Sequence, residues 1–233
     1  MTGPESYIQW INANIGFNPR GARNSDAMSQ YVLSDLRNAS IKGINALTAS
    51  HSLIPIKNAD VPVGESGLTV RNIDLVLSEK GEPKRPLSVQ LSVEHKTIMT
   101  AHGKARKNRY GDIIAYCGHM HNHRRDCVVG ATVVINTSEA YENPDSFAKG
   151  LIRPKFKMDK VVADTVKVFE NIPLRDLPSD PVELPEALAV IVVNYDGVNP
   201  ATLVEGTPDA SNASNYDNFI KRLVAIYEDR FCP

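Results

Sequence analysis

"LSVEHKT", residues 91–97, sets an apolar run against a glutamate and a lysine two residues apart. In a strand, successive side chains point to opposite faces. Leu87, Val89, Leu91, Val93, His95 and Thr97 therefore fall on one face, and Ser88, Gln90, Ser92, Glu94 and Lys96 on the other. Glu94 and Lys96 are neighbours at the far end of a strand whose other face is bound for a core. Upstream, "SEKGEPKR" (78–85) is a turn rich in Gly, Pro and charge, preceded by a strand at Ile73–Leu77 that carries Asp74. The two strands make a pair joined by a polar hairpin. Leu53–Ile56 adds a short strand before them.

Further out, residues 25–39 read as an amphipathic helix capped by Ser25, with Met28, Tyr31, Val32, Leu36 and Ala39 as its stripe and Asp35 inside that stripe. After the Glu94 strand, "AHGKARKNRYGDIIAYCG" (101–118) reads as a helix with Tyr110, Ile113, Ile114 and Cys117 on one side and Gly118 as its stop. "CVVGATVVI" (127–135) follows as a buried strand. The second half repeats the alternation: a helix near Met158–Phe169, a Pro-rich connector "IPLRDLPSDPVELPE" (172–186), an apolar strand "ALAVIVVN" (187–194) and a last helix near Tyr216–Tyr227. The pattern is α/β. A chain of 233 residues with 42% hydrophobic content suits a single domain, and the connector is the best place to look for a boundary.

No apolar stretch approaches the roughly 20 residues of a membrane span, and "MTGPESYIQW" lacks the regions of a signal peptide, so a cytoplasmic location is expected. Three cysteines, Cys117, Cys127 and Cys232, are expected to be reduced thiols or ligands. With a net charge of −1, any nucleic acid would have to bind a local patch.

The order helix, strand hairpin, helix, strand, with an acid on the first hairpin strand and Glu-x-Lys on the second, resembles the PD-(D/E)xK nuclease superfamily. The matching residues are Asp74 in "RNIDLVL" (71–77) and Glu94 with Lys96 in "SVEHKT" (92–97), over about residues 25–135; Ile73 stands where the family has proline. The resemblance implies a restriction-endonuclease-like core, a mixed central sheet flanked by helices. It also implies that Asp74 and Glu94 bind Mg²⁺ and that Lys96 positions or activates the attacking water. The family often places a further acid on the first helix, which makes Asp35 a third candidate ligand. Alternatively, Asp35 accepts hydrogen bonds near the helix end or pairs with an arginine. The chemistry is consistent in its own right, because phosphodiester hydrolysis needs a hard cation held by carboxylates and water, with an ammonium beside it. A second acid-x-Lys triplet, "EPK" (82–84), flanks a proline in the turn and is set aside. The plain alternative for Asp74, Glu94 and Lys96 is a solvated sheet face with a weak ion pair.

In "HGKARKNRYGD" (102–112), Lys104, Arg106, Lys107 and Arg109 crowd the start of a helix, where cations gain nothing from the helix dipole. Next to the proposed cleft they are expected to contact DNA phosphates; the alternative is a solvated basic face. Arg20 and Arg23 in "NPRGARNSD" (18–26) are weaker candidates for the same role. "CGHMHNHRRDC" (117–127) places Cys117, His119, His121, His123 and Cys127 close together, which raises structural zinc against the reading of core thiols and loop histidines. The expected function is a Mg²⁺-dependent endonuclease cutting double-stranded DNA, a type II restriction enzyme acting as a homodimer. For a free-standing chain of this length, no helicase or methyltransferase domain is expected. The elaboration from Ser146 to Pro233 would supply recognition loops and a dimer surface. The alternatives are a repair or recombination nuclease of the same fold, or a non-catalytic zinc-stabilised DNA-binding protein.

Overall fold

The computed structural model describes residues 2–18, 21–40, 43–50, 52–63, 69–79, 81–82, 85–86, 88–141 and 157–232. Arg20, Leu87 and the stretch 142–156 lie outside these. In chain order the elements are α1 (Gly3–Ala13), α2 (Ala22–Ala39), α3 (Ile44–Ala49), β1 (Ile54–Val63), β2 (Thr69–Ser78), β3 (Gly81–Glu82), β4 (Arg85–Pro86) and β5 (Val89–Ile98). They continue with α4 (His102–His123), β6 (Val128–Asn136), α5 (Met158–Glu170), β7 (Ala187–Asn194), β8 (Thr202–Leu203) and α6 (Tyr216–Phe231). Among the described residues, six strands form one sheet in the order β1-β2-β5-β6-β7-β8. The β1–β2 and β2–β5 pairs are antiparallel, β5–β6 and β6–β7 parallel, and β7–β8 antiparallel. The expected α/β class with a mixed central sheet flanked by helices is what forms.

Both faces of the sheet are covered, which is why β6 is buried at every position and reads as an unbroken apolar run. On one face, Leu75, Leu77, Leu91, Val93 and Ile191 pack with α1, α2 and α6 through Tyr7, Met28, Leu36, Phe219 and Leu223. On the other, Val76, Val129, Val133 and Val190 pack with α4 and α5 through Ile113, Tyr116, Val162 and Phe169. Gly130 lets α6 approach, since a Cβ there would lie 3.1 Å from both Leu223 and Phe219.

Several local expectations are corrected. The strict alternation of β5 breaks at Gln90, because Leu77 pairs with Leu91 but Ser78 with Val89, leaving Gln90 as an extra residue in a bulge. Val89 thereby turns to the α4 face, while Leu91 and Val93 face α2 and α6. Ser25 does not cap its helix; α2 begins at Ala22, and the Ser25 hydroxyl bonds the Ala22 carbonyl. Gly118 does not stop α4, which runs on to His123, and Tyr110 is exposed. α1 was not foreseen, although Glu5 three residues after Thr2 is a capping signal, and its carboxylate accepts the Thr2 N–H at 2.7 Å. In the second half, β7 pairs along β6 and α6 packs on both strands. No described helix is long and apolar enough to cross a membrane.

Candidate active site

The sheet forks between β2 and β5. Their ladder ends at Leu75 opposite Val93, whereas β1 and β2 stay paired out to Val63 and Thr69, and β5 and β6 out to Ile98 and Ile135. Asp74 is the first residue of β2 beyond the last pair. Its carboxylate takes the place of a strand partner, accepting the His95 N–H at 2.7 Å on Oδ2. Glu94 is next to His95 and only 4% exposed. Its Oε1 is in close contact with the Lys96 ammonium and lies 3.5 Å from the Arg71 guanidinium. Its other oxygen, Oε2, is buried with no hydrogen-bond partner among the described residues. Asp74, Glu94 and Lys96, separated by up to 22 positions in sequence, thus meet at the fork. They are not an open solvated face.

Burial governs the electrostatics. It raises the pKa of Asp74, opposed by the His95 N–H and then by the Lys96 charge. It raises that of Glu94 as well, opposed by Lys96 and reinforced by the negative charge of Asp74. The His95 imidazole is buried, and burial pushes its pKa down to about 3, favouring the neutral ring. Two carboxylates, one with a buried unpartnered oxygen, make a hard-oxygen set suited to a divalent cation. Among the described residues no group of three or more His, Cys, Asp or Glu is arranged to hold a metal. A cation here would take Asp74 and Glu94 and complete its shell with water and substrate oxygens, the habit of Mg²⁺.

Asp35 is elsewhere. Its Oδ2 accepts from Gly3 N at 2.7 Å and from the Tyr216 hydroxyl at 2.9 Å, so it ties α1 and α6 to α2 and stands apart from Asp74 and Glu94. The acid that α2 brings to the fork is Asp26, about 13 Å further back along the helix at 1.5 Å per residue. It lies close enough to Asp74 to oppose its ionisation, and Asn58 Nδ2 holds its Oδ1 at 2.7 Å. Sequence reasoning also missed Arg71, which lies 3.3 Å from the Asp112 carbonyl and stacks over the Tyr116 ring at 5.6 Å. Arg71 stands three residues before Asp74 on one strand, a signal available in "RNIDLVL" but unused.

The basic segment does open α4, just after β5. The helix start is fixed by the His102 ring nitrogen, 2.7 Å from the Asn136 carbonyl at the end of β6. Lys104 and Lys107 are exposed and Arg106 is half-buried. Arg109 is engaged by Asp112 at 2.7 Å and by the Thr97 carbonyl at 3.4 Å. Arg23 bonds the Asn14 side chain at 2.9 Å. The zinc alternative fails on geometry: Cys117 and Cys127 are core thiols, and the three histidines sit on α4. His121 is buried between the Val182 carbonyl at 2.7 Å and Glu186 at 3.0 Å, and does not converge with His119 or His123 on a common point.

Compared with known proteins, the chain matches no protein family, no curated protein and no solved structure at a significant level.

Proposed function

We propose that the fork is the active site of a Mg²⁺-dependent deoxyribonuclease that hydrolyses phosphodiester bonds in duplex DNA, and that the protein is a homodimeric type II restriction endonuclease. The reading rests on one observation above all: the half-buried Asp74 and the buried Glu94 come together where β2 and β5 part, with Lys96 against Glu94. A solvated ion pair would have no reason to leave a carboxylate oxygen enclosed and unpartnered. Asp74 and Glu94 hold the cation. When bound, Mg²⁺ neutralises charge on the phosphoryl oxygens and makes water a better nucleophile. Lys96 holds the attacking water or the developing anion, and Arg71, already near Glu94, keeps that carboxylate oriented. Lys104, Arg106 and Lys107 anchor the DNA backbone beside the fork.

Incubating the protein with plasmid and Mg²⁺ tests this. Discrete fragments that map to one short sequence are expected, abolished by EDTA, by Asp74→Ala and by Glu94→Ala. Lys96→Ala should lose on the order of 10²–10³-fold in rate, the scale of removing one transition-state donor, while still binding DNA. A smear, or cutting confined to branched or nicked substrates, would promote the repair-nuclease reading. Full activity in EDTA or in either alanine variant would remove the site.

A further inference from the structure

The reaction above gives no part to the residue between Glu94 and Lys96, yet His95 is only 8% exposed and reaches three other elements. Its backbone N–H donates to the Asp74 carboxylate on β2. Its Nδ1 lies 2.8 Å from Thr132 Oγ1 on β6, and its Nε2 lies 3.2 Å from Ser29 Oγ on α2. The Ser29 hydroxyl also bonds the Asp74 carbonyl at 3.1 Å. Elementary donor and acceptor capacity fixes the directions. A carbonyl only accepts, so Ser29 gives its one proton to Asp74 and must receive one from Nε2. A neutral ring with its proton on Nε2 carries a lone pair on Nδ1, which accepts from the fully buried Thr132 hydroxyl. The hydrogen bonds run from Thr132 to His95, to Ser29, to the Asp74 carbonyl, and return from the His95 N–H to the Asp74 carboxylate.

We infer that His95 is a positioning residue: as an Nε2–H imidazole it closes a hydrogen-bonded ring across the fork and fixes Asp74 at both its carbonyl and its carboxylate. The ring stands where the β2–β5 ladder has stopped, and it satisfies through side chains the backbone groups that a partner strand would otherwise take. That Asp74 is held for a metal rests on the nuclease reading; the ring itself does not. Outer partners of this kind orient a ligating carboxylate, and their loss reduces metal affinity or activity on the order of 10–100-fold.

The test has one arm independent of both metal binding and catalysis. Nitrogen-15 NMR of the metal-free protein at neutral pH should show His95 with a protonated Nε2 and an unprotonated Nδ1. In Mn²⁺ titrations followed by electron paramagnetic resonance, His95→Leu and Ser29→Ala should bind the ion on the order of 10–100-fold more weakly. Their Mg²⁺ midpoint for cleavage should rise, with DNA affinity in EDTA unchanged. His95→Gln, which keeps an N–H near the Nε2 position, should recover most of the loss. Thr132→Val, nearly isosteric, should behave like a milder His95→Leu without unfolding the protein. An Nδ1–H tautomer or an imidazolium, or a His95→Leu variant that binds Mn²⁺ and cuts as the wild type does, would overturn the inference. A wild type that neither binds Mn²⁺ nor cleaves would overturn the nuclease reading and the metal-holding role with it, while the tautomer would still decide the ring.

Discussion

Ionising Glu94 carries an energetic cost to the fold. Burial raises its pKa and that of Asp74, and for a carboxyl group this direction has a definite consequence for stability. A raised folded-state pKa contributes stability that is fully present below the unfolded value and is lost as pH rises through the folded one. At pH 8 both groups are therefore on the destabilised side of that window. Replacing either by its neutral amide mimics the protonated form, so Glu94→Gln and Asp74→Asn should melt at higher temperature than the wild type in EDTA at pH 8. The gap should close as pH falls toward the ordinary carboxylate range. Mg²⁺ should raise the wild-type melting temperature and leave the amide variants unchanged, because ligand binding stabilises only the form that binds it. Thermal denaturation across pH, with and without the ion, measures all three. A Glu94→Gln protein that melts below the wild type at pH 8 in EDTA would mean that the Lys96 and Arg71 charges outweigh burial. Stability given up at a site in this way is a common mark of function.

At the scale of elements, α4 carries two kinds of cation, and they should behave differently. Lys104, Arg106 and Lys107 make no ion pair among the described residues, whereas Arg109 is held by Asp112 and the Thr97 carbonyl. Changing the first three to alanine together should weaken binding to any duplex and flatten its salt dependence by about 0.9 for each phosphate that is no longer neutralised. Arg109→Ala should leave that slope alone and loosen the seating of α4 on β5. Filter binding or fluorescence anisotropy over a salt series separates the two. A slope unchanged in the triple variant would take this helix out of the DNA interface. The contrast shows what was legible in the sequence. Local spacing placed the cations, the strand carrying Glu94 and Lys96, and the hairpin carrying Asp74, because these depend on residues within a few positions of one another. The Gln90 bulge was not legible, since its partners are Glu79 and Tyr227, the second of them 137 positions away. Asp35 and Asp26 could not be ranked for a similar reason: which face of α2 meets the fork is settled by Asn58, Asp74 and Tyr216, not by the helix itself.

The whole molecule is joined by a buried ionic knot that no local pattern announced. Glu186, just before β7, is fully enclosed. Its Oε1 accepts from Arg175 at 2.9 Å and Arg230 at 2.8 Å, and its Oε2 from Val129 N at 2.8 Å, with the His121 ring at 3.0 Å. One carboxylate thus gathers α4, β6, the Pro-rich connector and α6. Arg175 and Glu186 lie eleven positions apart in the connector, and only the tertiary fold brings them together with Arg230 and His121. Burial pushes the Glu186 pKa up, but the His121, Arg230 and Val129 hydrogen bonds outweigh it and the net shift is downward. A lowered carboxyl pKa contributes stability that is present above the unfolded value and is lost as pH falls through the folded one. Glu186→Ala would leave Arg175 and Arg230 facing each other without their anion, and breaking a buried pair in this way costs about 3–5 kcal/mol. Urea denaturation at pH 7.5 should register that loss, and Glu186→Gln, which keeps the shape but not the charge, should fall between. As pH drops below the ordinary carboxylate range the wild type should approach the Gln variant, because protonating Glu186 removes the same charge. A Glu186→Ala protein as stable as the wild type at pH 7.5 would show that the two arginines find water or other acceptors, and that strand pairing and apolar packing hold the sheet and its helices without the knot.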